Sequence, residues 1–261
     1  MAIISLMAWG LGYFGQPHII VRFMAIRSVK DVPTARNIGI GWMILSLIGA
    51  LLTGFAGVAY VRKTAMTLDD PETIFLVFSQ FLFHPLVSGF LLAAILAAIM
   101  STISSQLLVV SSSLTRDIYR LYLDKEAPES RQVLVGRISV IVVAIVSIML
   151  ASDRDSSVLD LVSNAWAGFG AAFGPLVIFS LLWRRMNRNG ALAGMVVGAL
   201  TVIIWIYGGF TMAVGTALNS WLYAIVPGFV LSSIAIVVGS LATPAPKPHI
   251  VARFDEMESK L

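Results

Sequence analysis

Cysteine is absent from this chain, which excludes disulfides and thiolate metal sites and says nothing more about compartment. Charge is scarce: 12% of the 261 residues are charged against 58% hydrophobic, for a mean hydropathy of +0.89. No soluble domain of this length needs so much apolar surface, so the class is a multi-spanning membrane protein. Catalytic signatures are missing too. There is no P-loop, HExxH or GxSxG and no acid pair within a span, so an enzyme is not expected. Gly10-Leu11-Gly12-Tyr13-Phe14-Gly15 imitates the GxGxxG dinucleotide motif. No strand precedes it, Pro17 follows at once and no acid lies about 20 residues on, so that reading is rejected. The N-terminus also lacks the basic stretch and the small-residue cleavage site of a signal peptide.

What the chain has in abundance is apolar length. Seven spans are expected, at about 1–25, 37–61, 86–112, 132–151, 157–183, 190–208 and 221–241. Each is near or above the roughly 20 residues that cross the hydrocarbon core as helix. The net charge of +4 does not indicate nucleic acid, because the basic residues sit in short loops between apolar spans. Fifteen of the 18 Lys and Arg fall in alternate connections: the 22–36 loop, the 114–131 loop with Arg137, the Arg184, Arg185, Arg188 turn, and the tail. The other connections carry only Arg62, Lys63 and Arg154. The positive-inside rule therefore puts the 244–261 tail in the cytoplasm and residue 1 outside.

Two spans carry more than packing. In the first, Gly10, Gly12, Gly15 and Pro17 cluster within eight residues, weakening the helix and removing a backbone donor. A membrane tolerates such a break only where protein or a water-filled cavity satisfies the freed groups. Interrupted helices of this kind line midplane sites in secondary transporters, and a plain kink is the competing reading. Trp9, Tyr13 and Gln16 flank the break. In the span around 86–112, Ala98, Ser101, Thr102 and Ser105 fall at i, i+3, i+4 and i+7, on one helix face. Hydroxyls there can ligate a hard cation, bond a neighbouring helix or simply return a bond to the carbonyl four residues back.

Elsewhere the pattern is plainer. Asp69, Asp70, Pro71 and Glu72 open a short apolar run expected as a surface helix, with His84 at its end as an interfacial residue rather than a metal ligand. His18, beside the break, is expected to make structural hydrogen bonds. The charged 114–131 stretch is expected to be a solvated linker, and Asp160 to be solvated near an interface. Gly170 with Gly174, and Gly190, Gly194 and Gly198, form small-residue faces for tight packing. The last two spans have no polar centre and are expected to be scaffold, and the proline-rich tail to be disordered.

At this point a resemblance enters. The run from Gly89 to Ser113, GFLLAAILAAIMSTISSQLLVVSSS, resembles the signature helix of the sodium:solute symporter family. The stretch Trp9 to His18 and the run DLVSNAWAGFGAAFGP from Asp160 to Pro175 are similar to the bacterial branch of that family that carries proline. The resemblance implies an all-α membrane fold, the second half of a five-plus-five inverted repeat of the leucine-transporter type, with about seven transmembrane helices. It implies Ala98, Ser101 and Thr102 as part of a sodium site, and Trp9, Tyr13 and Pro17 as part of a proline pocket. The partners implied are L-proline, Na+ as coupling ion, the lipid bilayer of a bacterial plasma membrane and a missing N-terminal half; no organic cofactor and no nucleic acid are expected. With only half of each site, the chain alone is expected not to take up proline. Two other classes stay open, a transporter-like membrane sensor and a non-transporting subunit that packs through its glycine faces.

Overall fold

The computed structural model describes residues 2–68, 70–152, 158–208 and 221–259. Asp69, Arg154, Lys260 and the side chain of Asp160 lie outside the described residues. Among those described, all regular structure is helical. Helix α1 (Ala2–Ala8) runs into a 3-10 segment (Trp9–Gly15), and α2 (Pro17–Met24) resumes the α-helical path. Then come α3 (Val32–Thr64), α4 (Ile74–Leu82), α5 (Pro85–Ser113) and α6 (Glu129–Leu150). The order closes with α7 (Val158–Leu182), α8 (Arg188–Tyr207), α9 (Ile225–Leu241) and α10 (Pro248–Glu258).

Among the described residues, five stretches are long and apolar enough to cross a membrane: Val29–Thr64, Pro85–Leu123, Glu129–Leu150, Leu161–Leu182 and Arg188–Tyr207. The first and last of the seven expected spans are not among them. The first is divided at Trp9 and Gln16, and the last is a helix of 17 residues. Starts are capped as the sequence dictates. The Asn187 Oδ1 accepts from the Gly190 N–H at 2.9 Å, and the His84 Nδ1 accepts from Leu86 at 3.3 Å where Pro85 opens α5.

Two expectations are corrected. The linker 114–131 is helical as far as Leu123, continuing α5 with a widened turn in which Asp124 N–H donates to the Tyr119 carbonyl at 2.9 Å. The reason lies in Leu114, Ile118, Leu121 and Tyr122, apolar residues interleaved with the charged ones at helical spacing. The tail is not disordered through its length. Pro248 starts α10, and a bidentate pair holds it: the Arg184 Nε and Nη2 each donate to the Asp255 carboxylate at 2.7 Å.

The chain divides into two compact units. One consists of Met1–Met24 with Ser147–Leu261, the other of Ala25–Val146. In the first unit, α8 and α9 pack almost backbone to backbone. A Cβ on Gly190 would lie 2.6 Å from the Ile236 carbonyl oxygen, so only glycine fits there. Ser232, Ile236 and Ser240 are fully buried, and the Ser232 hydroxyl donates to the Gly194 carbonyl at 2.9 Å. Among lipid tails no hydrophobic force drives helices together, so close contact and such hydrogen bonds hold them. In the second unit, Gly57 of α3 receives Ile74 of α4, and Tyr60 meets Phe78 edge-on at 5.5 Å. The Ser111 hydroxyl donates to the Gly136 carbonyl at 2.9 Å, tying α5 to α6. Arg131 pairs with Asp124 at 3.2 Å.

A Cβ at Gly198 would lie 2.8 Å from the Ala171 carbonyl carbon of α7, whereas at Gly89 nothing lies within 4 Å. Gly198→Ala is therefore expected to lower stability by about 1–3 kcal/mol in detergent thermal unfolding, and Gly89→Ala to leave it unchanged or raised. Equal losses at both positions would show that close packing is not the cause. The tail gives a pH test. The hydrogen bond from Arg184 holds the Asp255 carboxyl below its ordinary value. A depressed carboxyl contributes above its unfolded value of about 3.9 and loses that contribution as pH falls through the folded value. Limited proteolysis is expected to spare α10 at pH 7 and to cut it only once the pH falls well below the unfolded value of about 3.9, with Asp255→Asn cut at pH 7 as well. An Asp255→Asn tail as protected as the wild type would remove the ion pair as the anchor.

Candidate functional site

The interruption of the first helix follows from its sequence. Pro17 cannot donate to a preceding turn and pushes the residue before it out of helical backbone. Gln16 is accordingly extended, at φ −87° and ψ 112°, and Pro17 takes the first position of α2, where no N–H is needed. Upstream of it the seven residues Trp9–Gly15 are 3-10, a longer run than the three or four usual for that geometry. Poor internal hydrogen bonding makes such a run dependent on outside support.

Helix α7 supplies it. The Trp166 indole N–H donates to the Trp9 carbonyl at 2.9 Å. The Trp9 and Trp166 rings stack at 5.4 Å, Tyr223 stacks on Trp9 at 5.9 Å, and Tyr13 meets Trp166 edge-on at 4.9 Å. A Cβ on Gly12 would run into the Trp166 ring, and one on Gly15 into the Phe169 carbonyl. The two glycines are needed for this approach. Gln16 is buried, with its amide nitrogen 3.5 Å from the Trp166 carbonyl. Tyr223 closes the cluster: its backbone N–H donates to the Ser5 hydroxyl at 3.1 Å and its phenol to the Ser163 carbonyl at 2.7 Å. Ala8, Ala167, Ala171, Val202, Ala224 and Ile225 form the buried core beside it.

Of the three residues expected to meet proline, the structure groups Trp9 and Tyr13 on Trp166, while Pro17 sits at the start of α2. Trp9 is half-buried and Tyr13 is 45% exposed, so aromatic surface stays available for an apolar ring. In the other unit, Ala98, Ser101 and Thr102 lie on one exposed face of α5. The Thr102 hydroxyl donates to the Ala98 carbonyl at 3.3 Å, and the Ser105 hydroxyl to the Ser101 carbonyl at 2.8 Å. This is the back-bonding expected of serine and threonine in membrane helices. It uses the hydroxyl proton and leaves the oxygen lone pairs for a cation. Among the described residues no group of three or more His, Asp or Glu is placed to hold a metal ion.

Trp166 and Tyr223 were not among the sequence candidates. Trp166 carries a signal, a single indole in the small-residue run Asn164–Gly168, but its partner lies 157 positions away and no spacing rule reaches it. Trp166→Phe keeps the ring and removes the donor. It is expected to cost about 1 kcal/mol and to speed amide hydrogen exchange over residues 9–16. Unchanged exchange there would show that the indole N–H does not hold the segment.

The sodium:solute symporter family profile matches residues 1–198. The chain is 52% identical over 261 residues to the osmoregulated proline transporter OpuE of Bacillus subtilis, covering 100% of this chain and 52% of that protein. It is 53% identical to the high-affinity proline transporter PutP of Bacillus subtilis, covering 100% and 54%, and 55% identical to sodium/proline symporter 2 of Staphylococcus saprophyticus, covering 99% and 51%. The chain thus spans about half the length of these three curated relatives, each of them a transporter rather than an enzyme. No solved structure matches it. With its interrupted first helix, its five membrane-crossing stretches and a family match over residues 1–198, the chain is a multi-pass membrane protein and belongs to the sodium:solute symporter family.

Proposed function

We propose that this chain forms part of a sodium-coupled symporter that imports L-proline, with the half of its relatives' length that it does not cover completing both sites. The observation that carries the reading is the interrupted helix at Trp9–Gln16, held open by Trp166 with aromatic faces on its surface. In this reading Trp9, Tyr13 and Pro17 contact proline, and Ala98, Ser101 and Thr102 contribute to the sodium shell. Two hydroxyls and a carbonyl fall short of the roughly six oxygens that a hard cation takes, so the remaining ligands come from the other half. No organic cofactor is required, since a cation crossing 100 mV gains about 2.3 kcal/mol, enough to drive uphill uptake. The fold is read as the second half of a five-plus-five inverted repeat. Its seven crossings include the divided first helix and α9, and its tail lies on the cytoplasmic side of a bacterial plasma membrane.

The packing-subunit reading is weaker, because the faces it would use are occupied. Gly190, Gly194 and Gly198 are buried against α9 and α7 within their own unit. The test is radiolabelled proline uptake into vesicles under an inward sodium gradient. The chain alone is expected to give none, and co-expression with the N-terminal half of a relative to give uptake. In that complex Ser101→Ala with Thr102→Ala is expected to raise the sodium concentration for half-maximal uptake at least about tenfold, the effect of roughly 1.4 kcal/mol. Uptake by the chain alone would refute the two-half reading, and unchanged sodium dependence would remove the α5 face from the ion site.

A further inference from the structure

A cavity of about 420 Å³ lies where α10 meets the α7–α8 turn, remote in sequence from the broken helix and from the α5 hydroxyl face. Its walls include Trp183, Arg184, Arg188, Arg253, Phe254 and Met257, and no carboxylate lines it. Arg184 is committed to Asp255. Arg188 and Arg253 are exposed and have no carboxylate within ion-pair distance among the described residues. Two guanidiniums with no ion pair among the described residues thus face a space whose other walls are mostly aromatic and aliphatic. Arg188 is also the first residue of α8, a 20-residue helix whose amino end adds partial positive charge.

Position narrows the occupant. Leu161–Leu182 and Arg188–Tyr207 are both long and apolar enough to cross a membrane, so the turn between them lies at headgroup depth. Trp183 is the residue type that favours that layer. We propose that this cavity binds one anionic phospholipid, its phosphate held between Arg188 and Arg253 and its glycerol and first methylenes lying on Trp183, Phe254 and Met257. Guanidinium forks match phosphate oxygens in pairs, and basic pockets between crossing helices suit such headgroups. The lipid bridges the membrane-crossing helices to α10, which the Arg184–Asp255 pair otherwise anchors.

The proposal is tested on the full chain purified in detergent, by native mass spectrometry with phosphatidylglycerol, phosphatidylcholine or inorganic phosphate added. One phosphatidylglycerol is expected to be retained at least about tenfold more tightly than phosphatidylcholine, whose phosphate is the same but whose choline cation is repelled by the two guanidiniums. Arg188→Gln with Arg253→Gln is expected to abolish that preference, and Arg116→Gln with Arg120→Gln, equally basic but outside the cavity, to keep it. Arg253→Gln alone alters only α10, so it separates loss of binding from misfolding; a several-fold loss with unchanged helical circular dichroism supports the site. Equal retention of the two lipids, or a preference that survives the double substitution, overturns the proposal. Displacement of the lipid by millimolar phosphate also overturns it, in favour of a free-anion site. None of these readings involves proline or sodium, so their failure leaves the symporter reading standing, and the reverse holds as well.

Discussion

A peptide carbonyl released from a helix inside hydrocarbon has only protein to bond, and that constraint shapes the first unit. Pro17 and the glycines before it make a continuous first helix unfavourable, and something must then receive the loosened backbone. Helix α7 receives it at close range. The Trp166 indole N–H reaches the Trp9 carbonyl, and a Cβ on Gly170 would lie only 2.8 Å from the Gly12 Cα. Gly174 continues the same face, where a Cβ would come 3.3 Å from the Leu11 carbonyl oxygen. Break and support are one device, each unworkable without the other.

The same logic extends outward from α7. Its opposite side meets Gly198 of α8, and α8 in turn meets α9 through Gly190 and Gly194. Small residues on each face let the backbones approach, and buried serine hydroxyls on α9 give directional bonds where apolar contact alone gives little preference over lipid. The second unit is built differently. Only 6% of the apolar windows of its long helices is buried, against 33% for the α7 window. Its hydroxyl face on α5 is exposed, and Thr102 and Ser105 satisfy their hydroxyl protons along the helix, on the Ala98 and Ser101 carbonyls.

Membrane class and helical content were legible because they depend on quantities that sum along the chain. Apolar length, charge scarcity and the lack of any water to bond an open strand edge point one way without knowledge of contacts. The family was legible from contiguous runs, Gly89 to Ser113 and Asp160 to Pro175. The stretch after Ser113 and the tail after Pro244 depart from expectation for a shared reason. Charged residues and prolines suggest irregular, solvated chain, whereas Leu114, Ile118 and Leu121 sustain an amphipathic helix, and Asp255 finds an arginine 71 positions away. The second departure concerns a partner that no local pattern contains.

The sequence by itself determined that this chain enters the bilayer several times, that its first apolar stretch is weakened as a helix by three glycines and a proline, and that one later helix carries a line of hydroxyls. These follow from periodicity, proline geometry and apolar length, which are properties of neighbours in the chain. Tertiary structure alone decided what holds the break and what fills the glycine faces. Trp166, Tyr223 and Ser163 act on residues more than fifty positions away, or on one another across such gaps. The glycine notches on α8 turned out to fit Ile236 and Ser240, not an outside partner. Small-residue spacing marks which helix faces pack, but which partner each face meets depends on how the helices are arranged in space, and that choice leaves no trace among neighbouring residues.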